Sequence, residues 1–475
     1  MTTATASFGL FIGGAWVRGS ATIDVTNPFD GRLVATIAAA TDADVTAAVD
    51  AAAASLAVEF PLHARYDVLM RAAARVDADE DLYAHAIALE GSKTIREARR
   101  EPKRAATILR LAAEEGRRLA GETLPFDSLR GSENRVGYYF RFPVGVVAAI
   151  TPFNDPLAMV AHKIGPALAV GNAVVLKPAC ATPLSALRLA EDLRAAGLPA
   201  GRLNIVTGKG EDVGAALVSN PGVRLVTFTG GVSTGEAITR IAGLKKLSME
   251  LGSNSPVIVL SDARLDRAVP AIAAGAFAQA GQNCLGVQRV FVHDAIYDAF
   301  AKRFVEQTSR LTVGSSLDET VDVCTLIDER QAARVHAWIR EAVDGGARVL
   351  VGGRREKAAV WPTVLERLPR GSRLDCDEAY GPVVALYRVA SLEEAIERAN
   401  AVKYGLHAAV FTESLRDAFY AVEHLAAGAV IVNDSTDYRL DVMPFGGTKM
   451  SGIGREGVRF ATKDMTETRV VCLNL

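Results

Sequence analysis

A thiol, a carboxylate and a side-chain amide in this sequence could together carry out covalent chemistry on a carbonyl group. Each occurs in a distinctive local sequence. Cys284 lies in Gln-Asn-Cys-Leu-Gly, Glu250 in Met-Glu-Leu-Gly, and Asn154 directly after Pro-Phe. A thiolate attacks a carbonyl carbon, an amide stabilises the resulting oxyanion, and a carboxylate activates water. A single cysteine in an apolar segment is more often a small core residue. The combination of all three therefore carries the prediction of a covalent catalytic site.

Composition narrows the class of protein. The chain has 475 residues, of which 49% are hydrophobic and 23% charged, with a net charge of −2. This length predicts about two to four domains. The near-neutral charge provides no basic field to attract nucleic acid or an anionic membrane. We therefore expect neither as a partner.

The cysteines and the N-terminus indicate the compartment. Five cysteines are scattered without a Cys-x-x-Cys spacing, which argues against a zinc site or a disulfide framework and favours a reducing compartment. No signal-like N-terminus and no uninterrupted apolar stretch of about 18 residues is present. The expectation is a cytoplasmic protein without a metal site.

The organisation of the chain predicts two α/β domains. Short apolar runs at 144–150, 173–176, 203–206 and 225–228 alternate with helical segments. Such alternation is typical of a parallel sheet covered on both faces, a Rossmann-like architecture. A second alternating block extends from about residue 265 to 433.

A glycine-containing turn after one apolar run is a candidate dinucleotide site. The segment Phe-Thr-Gly-Gly-Val-Ser-Thr-Gly at 228–235 follows a predicted strand and opens a predicted helix. Backbone amides at such a helix start can hold a pyrophosphate, although the spacing differs from Gly-x-Gly-x-x-Gly and also suits an ordinary turn. Lys177 ends a neighbouring strand, from which it reaches either a ribose or solvent.

These segments belong to an ordered series that resembles the motifs of the aldehyde dehydrogenase superfamily. The resemblance spans nearly the whole chain and implies a three-part fold. It implies a cofactor-binding domain (1–121 and 143–249), a catalytic domain (250–457) and a small β oligomerisation extension (122–142 and 458–475). The motifs, in chain order, are Pro152-Phe153-Asn154, Leu176-Lys177-Pro178, Phe228-Thr229-Gly230, Glu250-Leu251-Gly252, Gly281-Gln282-Asn283-Cys284, Glu378-Ala379-Tyr380-Gly381-Pro382 and Pro444-Phe445-Gly446-Gly447.

The resemblance implies catalytic roles. Cys284 would be the nucleophile that forms a thiohemiacetal, and Asn154 would form the oxyanion hole with the backbone amide of Cys284. Glu250 would activate the water that hydrolyses the thioester. The resemblance also implies cofactor-binding residues, of which Lys177 would bind the adenosine ribose, the glycines the pyrophosphate, and Glu378 and Tyr380 the nicotinamide end. The predicted cofactor-binding set is Pro152, Phe153, Lys177, Cys180, Gly230, Gly231, Gly235, Glu378 and Tyr380.

Departures from the family pattern bear on the cofactor. Cys180 stands where members that prefer NAD often carry a glutamate, whose carboxylate would chelate the ribose and repel a 2′-phosphate. Its absence makes NADP tolerable without deciding the preference, so NAD or NADP is expected. Gly231 replaces a frequent serine and Tyr380 a frequent phenylalanine.

Two arginines suggest a substrate class. Arg104 and Arg439 fall in segments where some relatives line the substrate pocket, and two guanidiniums converging on an anion would favour a short-chain anionic semialdehyde. The alternative is that each arginine forms a surface or interdomain ion pair.

The predicted function is NAD(P)-dependent oxidation of an aldehyde to a carboxylic acid. One alternative is an acylating, coenzyme-A-dependent member, against which Glu250 argues because many such relatives lack this base. A second alternative is a catalytically silent binding protein on the same fold. The β extension would present a sheet edge that seeks a partner strand, which predicts a homodimer or a homotetramer.

Overall fold

A computed structural model describes residues 6–475. The first five residues of the predicted cofactor-binding domain lie outside the described residues.

The chain alternates between strands and helices along most of its length. The strands are β1 Ala6–Phe8, β2 Leu10–Ile12, β3 Ala15–Val17, β4 Ala21–Thr26, β5 Leu33–Ala39, β6 Glu122–Leu124, β7 Arg135–Pro143, β8 Val146–Ile150, β9 Ala173–Lys177, β10 Leu203–Ile205, β11 Leu225–Thr229, β12 Lys246–Glu250, β13 Ser255–Val259, β14 Val287–His293, β15 Arg348–Val351, β16 Arg355–Glu356, β17 Ala359–Val360, β18 Thr363–Glu366, β19 Val383–Val389, β20 His407–Phe411, β21 Ala429–Val432, β22 Gly452–Ile453 and β23 Thr466–Asn474. The helices are α1 Asp42–Ser55, α2 Leu62–Ala78, α3 Glu80–Glu90, α4 Ile95–Ala98, α5 Arg100–Arg118, α6 Ala158–Ala169, α7 Leu184–Ala195, α8 Ala215–Ser219, α9 Val232–Ile241, α10 Leu265–Phe277, α11 Tyr297–Thr308, α12 Glu329–Asp344, α13 Arg373–Cys376, α14 Leu392–Asn400, α15 Leu415–His424 and α16 Val458–Asp464. Short turns of 3₁₀ or π-helix occupy Phe126–Ser128, Gly210–Gly214, Ala278–Gly281, Asp294–Ile296 and Lys449–Ser451.

The first sheet has eight strands in the order β22-β12-β11-β8-β9-β10-β2-β3, and its central five strands run parallel. Strand β8 is buried throughout because it is covered on both faces. Its Val147 and Ala149 pack into the core formed with α2, α5, α6 and α7, whereas Val146 and Ala148 pack into the core with α1, α8 and α9. The Rossmann-like prediction for this part of the chain is confirmed.

The second sheet has seven strands in the order β15-β18-β19-β14-β13-β20-β21, of which only β15 is antiparallel to its neighbour. Helices α10, α11, α12, α14 and α15 contribute to its core. Two smaller assemblies complete the described chain, the sheet β1-β5-β4 and the hairpin β16-β17.

The predicted β extension is a three-stranded antiparallel sheet, β23-β7-β6. Strands β7 and β23 pair over nine residues, from Thr466 opposite Pro143 to Asn474 opposite Arg135. Between the second sheet and β23, β22 pairs with β12 of the first sheet, and α16 packs on α5 and α6.

Membrane-spanning helices and clustered metal ligands are both absent from residues 6–475. No helix in this range is long and apolar enough to cross a membrane. Nor does this range contain a group of three or more His, Cys, Asp or Glu residues arranged to hold a metal ion.

Candidate active site

The loop that carries Cys284 is held in an uncommon backbone conformation. Gln279, Ala280 and Gly281 have consecutive positive φ angles of 54°, 54° and 69°. A Cβ on Gly281 would lie 2.3 Å from the carbonyl carbon of Gly381, so the loop approaches the Glu-Ala-Tyr-Gly-Pro segment as closely as only glycine allows. Strain of this kind persists only where the surrounding structure enforces it, and it occurs preferentially at active sites.

The environment of the Cys284 thiol keeps it protonated in the resting protein. Burial raises the pKa of Cys284 well above its ordinary value, and the nearby carboxyl of Glu250 raises it further. The guanidinium of Arg439 acts in the opposite direction. Because the thiolate is the nucleophilic form, a group that takes the proton is required.

Glu250 is suited to accept a proton near neutral pH. It ends β12, is only 2% exposed, and its Oε1 has no hydrogen-bond partner among the described residues. Burial raises the pKa of Glu250 to about 8, Glu456 also raises it, and Arg439 lowers it. A general base whose pKa lies close to the working pH is partly in its deprotonated form and is still basic enough to accept a proton.

One cavity of about 940 Å³ connects the three predicted catalytic side chains. Cys284, Glu250 and Asn154 all line it, although they come from β12 and from the loops after β8 and α10. Asn154 and Glu250 lie at or just after the carboxyl ends of parallel strands, where ligands bind in open α/β sheets, and Cys284 reaches the cavity from the loop between α10 and β14. The volume is that of a site for small molecules.

Predicted cofactor-binding residues carried by the first sheet line the same cavity. Gly231 is the N-cap of α9, and a Cβ there would meet no other atom within 4 Å, so the helix start is open to a ligand. Lys177 ends β9, is 5% exposed, and its pKa is lowered by burial. Open amides at a helix N-terminus beside a buried lysine fit the pyrophosphate and ribose of a dinucleotide.

Glu378 and Tyr380 form the opposite wall with Phe153. The Ser253 amide donates to Glu378 Oε1 at 2.8 Å, and burial raises the pKa of Glu378 to about 7. The rings of Phe153 and Tyr380 meet edge to face with centroids 5.9 Å apart. A Cβ on Gly252 would lie 2.3 Å from Glu378 Oε2, which explains the glycine after Glu250-Leu251.

Two residues of the predicted cofactor-binding set do not line the cavity. Gly235 lies one turn inside α9, where a Cβ would come within 2.6 Å of Leu251 Cδ2, so close packing explains this glycine rather than a phosphate contact. The Cys180 thiol donates to the carbonyl of Gly208 at 2.8 Å, just beyond the lining residue Ala179. Every other predicted site residue lines the cavity.

The two predicted anion-binding arginines line the cavity, but each already has an acidic partner. Arg104 donates through Nε and Nη2 to Asp441 Oδ1 at 3.0 and 2.8 Å, and its side chain remains 28% exposed. Arg439 is more deeply committed, with its side chain 6% exposed, Nη2 3.2 Å from Glu456 Oε2, and its guanidinium 3.6 Å above the ring of Phe445. The ion-pair alternative therefore describes both arginines in this structure.

Sequence reasoning missed another arginine and an acidic residue that line the cavity. Arg100, one helical turn before Arg104 on α5, is exposed and forms no salt bridge within the described chain. Its i, i+4 relation to Arg104 was visible in the sequence and would have predicted a shared helix face. Asp437 precedes Arg439 by two residues and gave no sequence signal of its own.

A buried charge network extends from this cavity into the first core. Lys163 lies 2.9 Å from Glu456 Oε1, and Thr229 Oγ1 donates to the same oxygen at 3.0 Å. His162 Nε2 is 2.8 Å from Asp441 Oδ1, and burial followed by the charge of Arg439 lowers the pKa of His162 to about 4. The imidazole is therefore neutral at physiological pH.

Comparisons with known proteins agree with this fold and cavity. The model of the aldehyde dehydrogenase family matches residues 16–471. The chain is 46% identical to aspartate-semialdehyde dehydrogenase 1 of Pseudomonas canavaninivorans, over 95% of this chain and 97% of the relative. It is 44% identical to the 3-sulfolactaldehyde dehydrogenase of Priestia aryabhattai, over 100% and 99% of the two chains.

Among solved structures, the chain resembles the NADP-dependent glyceraldehyde-3-phosphate dehydrogenase of Bacillus halodurans C-125 in complex with NADP. The TM-score is 0.96, with 36% identity and full coverage of both chains. The chain belongs to the aldehyde dehydrogenase family. It is an NAD(P)-dependent aldehyde dehydrogenase, as the sequence predicted.

Proposed function

We propose that this enzyme oxidises a short-chain aldehyde with an anionic far end, through a thiohemiacetal and a thioester on Cys284. The observation that carries the proposal is the shared cavity that joins Cys284, Glu250 and Asn154 to the open start of α9. The reaction class is that of the family, and the residue roles proposed below are supported by this geometry.

The first half of the reaction begins with removal of the thiol proton by the buried Glu250 carboxylate, whose Oε1 has no hydrogen-bond partner in the described chain and whose charge acts on the thiol. A lone pair on the Cys284 sulfur forms the S–C bond while the π electrons of the carbonyl group move to its oxygen. The side-chain amide of Asn154 donates a hydrogen bond to the resulting oxyanion. As the oxyanion collapses, the substrate carbon loses a hydride. Glu378, Tyr380 and the open start of α9 would hold a nicotinamide dinucleotide, which would supply the hydride acceptor. The substrate carbon has then been oxidised to a thioester.

The second half regenerates the thiol. Once Glu250 has lost the thiol proton to solvent, it takes a proton from water, the new C–O bond forms, and the C–S bond breaks to release the carboxylic acid and the sulfur as thiolate. The proton held on Glu250 leaves for solvent, or returns to sulfur for the next cycle. A buried carboxyl with a pKa of about 8 serves this exchange in both directions.

The anionic end of the substrate is assigned to the α5 side of the cavity. Arg100 is exposed and without an ion pair within residues 6–475, and Arg104 keeps part of its guanidinium exposed beside Asp441. The named substrates of the relatives, aspartate semialdehyde and 3-sulfolactaldehyde, are short aldehydes that carry a carboxylate or a sulfonate at the far end. Arg439 is neutralised by Glu456, so its proposed part is electrostatic support of Cys284 and Glu250 rather than contact with the anion.

The test is a panel of aldehydes with each cofactor, followed by the absorbance of reduced nicotinamide. Succinic semialdehyde should exceed butanal in kcat/KM by about 10-fold or more, the value of one charge-assisted contact. The Arg100→Ala variant should remove most of that difference, whereas Arg303→Ala on the exposed face of α11 should not. Equal kcat/KM for the two aldehydes in the parent enzyme would refute the anionic class.

Coenzyme-A-dependent acylation remains the alternative outcome of the same assay. Release of an acyl-coenzyme A in place of the free acid would establish it, and the buried base Glu250 argues against it.

We further propose that the sheet β23-β7-β6 mediates a homodimer or homotetramer. Four large apolar side chains, Val136, Phe140, Val470 and Leu473, are exposed on β7 and β23. Exposed apolar strands of this kind normally pair with another surface. Sedimentation of the full chain tests this, and a monomer at micromolar concentration would refute it.

A further inference from the structure

The catalytic loop, residues 278–286, is bound by a carboxylate from a distant part of the chain. Its backbone enters the left-handed region at Gln279, where φ is 54°, and stays there through Ala280 and Gly281. The amide of Gln279, the first of these residues, donates to Glu97 Oε1 at 2.8 Å. Residues other than glycine keep consecutive positive φ angles only where neighbouring groups enforce them. Glu97 is such a group, although it precedes Gln279 by 182 positions.

Both carboxylate oxygens of Glu97 are engaged. Oε2 accepts from the backbone amide and the hydroxyl of Thr94, at 2.9 and 3.1 Å, and completes the capping box at the start of α4. The capping box accounts for one oxygen only, and the other is directed at the catalytic loop. Three donors of the protein therefore converge on this carboxylate. Although Glu97 lines the cavity, its oxygens are committed to holding backbone rather than to contact with a substrate.

The remaining polar contacts of Gln279 complete the turn. Its carbonyl accepts from the Gln282 amide at 3.0 Å, and its Nε2 donates to Asp155 Oδ1 at 3.2 Å. Gln282 is fully buried, and its Oε1 accepts from the Ile327 amide at 3.0 Å. The bond to Glu97 holds the main chain itself, and charge assistance makes it stronger than the amide-to-carbonyl bond of the turn. Its loss would release the loop at the residue where the left-handed conformation begins.

The segment that carries Glu97 also supports the oxyanion side of the cavity. Glu101 Oε1 accepts from two backbone amides at the start of α6, at 2.8 and 2.9 Å. Lys93 Nζ donates to Glu101 Oε2 and to the carboxylate of Asp155, the residue that follows Asn154. One short stretch, residues 93–101, therefore bonds both to the loop that carries the oxyanion donor and to the catalytic loop. The relative placement of the two depends on this stretch.

We propose that Glu97 is a positioning residue for Cys284, which holds the catalytic loop in the conformation that directs the sulfur at the carbonyl carbon beside Asn154. This inference rests on the proposed role of Cys284 as the nucleophile, but not on the class of aldehyde. Attack requires sulfur and carbon to be aligned at about 3–3.5 Å, so a small displacement of the loop slows it steeply. Glu97 takes no part in the bond changes themselves. Its loss therefore slows formation of the thioester without weakening the cofactor complex.

The test measures the burst of reduced nicotinamide by stopped flow, with NADP and either succinic semialdehyde or butanal. In Glu97→Ala the burst rate constant should fall by about 10- to 150-fold, the range of a charge-assisted hydrogen bond, and by the same factor for both aldehydes. Affinity for NADP should stay within about threefold by fluorescence titration. An unchanged burst, a loss confined to one aldehyde, or a matching loss of cofactor affinity would each overturn the inference.

The conservative variant separates positioning from a direct role of the charge. Glu97→Gln keeps an acceptor for the Gln279 amide, so its burst rate should fall by less than about tenfold and keep the pH dependence of the parent enzyme. A glutamine variant as slow as Glu97→Ala would show that the charge or a proton of Glu97 takes part in the reaction, and would overturn the inference.

A second control separates the loop contact from the helix cap. Thr94→Ala removes the hydroxyl that accepts from the Glu97 amide, but leaves the backbone amide of residue 94 and the Glu97–Gln279 bond in place. It should lower the melting temperature, as loss of an N-cap does, while changing the burst rate by less than about threefold. Equal kinetic losses in Thr94→Ala and Glu97→Ala would assign Glu97 to capping alone and overturn the inference.

Hydrogen exchange on the unmodified enzyme keeps the inference testable if Glu97→Ala does not fold. The Gln279 amide should exchange at least about 100-fold more slowly than in an unstructured peptide, and exchange at the unprotected rate would overturn the inference. Turnover retained in Cys284→Ala would instead refute the proposed function. An inactive Cys284→Ala together with an unchanged burst in Glu97→Ala would refute the positioning role alone.

Discussion

Replacement of Glu250 by glutamine should separate the two halves of the reaction. The pKa of Glu250 is raised to about 8, so the carboxylate fraction is about 10% at pH 7 and about 90% at pH 9. If deacylation by this base limits turnover, the steady-state rate of the parent enzyme should rise about ninefold across that interval. The rise follows the ionised form, since raising the pH above a carboxyl pKa creates the base.

Stopped-flow measurement of reduced nicotinamide reads both phases. In Glu250→Gln the steady rate should fall by about 100-fold or more and lose its pH dependence, whereas a burst of about one equivalent per site should persist at high pH, where the thiol ionises without help. Glu236→Gln, an exposed change on α9, should alter neither phase. A burst that disappears together with the steady rate at every pH would place Glu250 in thiol activation alone. Unchanged turnover in the variant would refute its role as the base.

Four other perturbations test separate parts of the site. Cys284→Ala should abolish oxidation but leave cofactor affinity within about threefold by fluorescence titration, because the thiol contacts only the aldehyde; residual turnover would exclude it as the nucleophile. Cys180→Glu should raise the kcat/KM ratio for NAD over NADP by about 10-fold or more through repulsion of a 2′-phosphate, and an unchanged ratio would place the ribose elsewhere. Arg104→Ala should raise KM for succinic semialdehyde by about 10-fold but for butanal by less than about threefold. Arg439→Met should instead lower kcat/KM for both aldehydes to a similar extent and destabilise the fold by about 1.5–3 kcal/mol, because Glu456 loses one charged hydrogen bond but keeps Lys163; a selective loss on the anionic aldehyde would restore Arg439 as an anion contact.

The fold was predictable because its signals are local. Apolar runs without polar alternation predict strands covered on both faces, and β8 shows the reason, since its successive side chains enter two different cores. The motif glycines were equally informative. Gly252 and Gly281 stand where a Cβ would collide with Glu378 and Gly381, so they report tertiary approaches that the motif spacing encodes.

The substrate end of the site was less predictable because it depends on pairing between distant residues. Arg104 and Asp441 are 337 positions apart, and nothing near Arg104 in sequence indicates that this carboxylate reaches it. Arg439 was predicted to bind an anion, and its pairing with Glu456 follows from the return of the chain after β22 to the first core.

Three glutamates near the cavity differ in pKa because their surroundings differ. Glu456 faces Lys163 and Arg439, which hold its pKa well below the ordinary value in spite of burial, so it remains a carboxylate. Glu378 has a weaker set of donors and a pKa of about 7, and Glu250, for which burial and the charge of Glu456 outweigh Arg439, has a pKa of about 8. The permanent charge of Glu456 thus helps to raise the pKa of Glu250 to a value at which the carboxyl exchanges protons slightly above neutral pH. Arg439 acts on all of these groups: its charge neutralises Glu456, and it lowers the pKa of Cys284 and of Glu250. Because the Arg439 guanidinium already interacts with Glu456 and acts on Glu250 and Cys284, we expect it to contribute little to binding an anionic substrate. For this reason the α5 arginines are the better assignment for the substrate's anionic end.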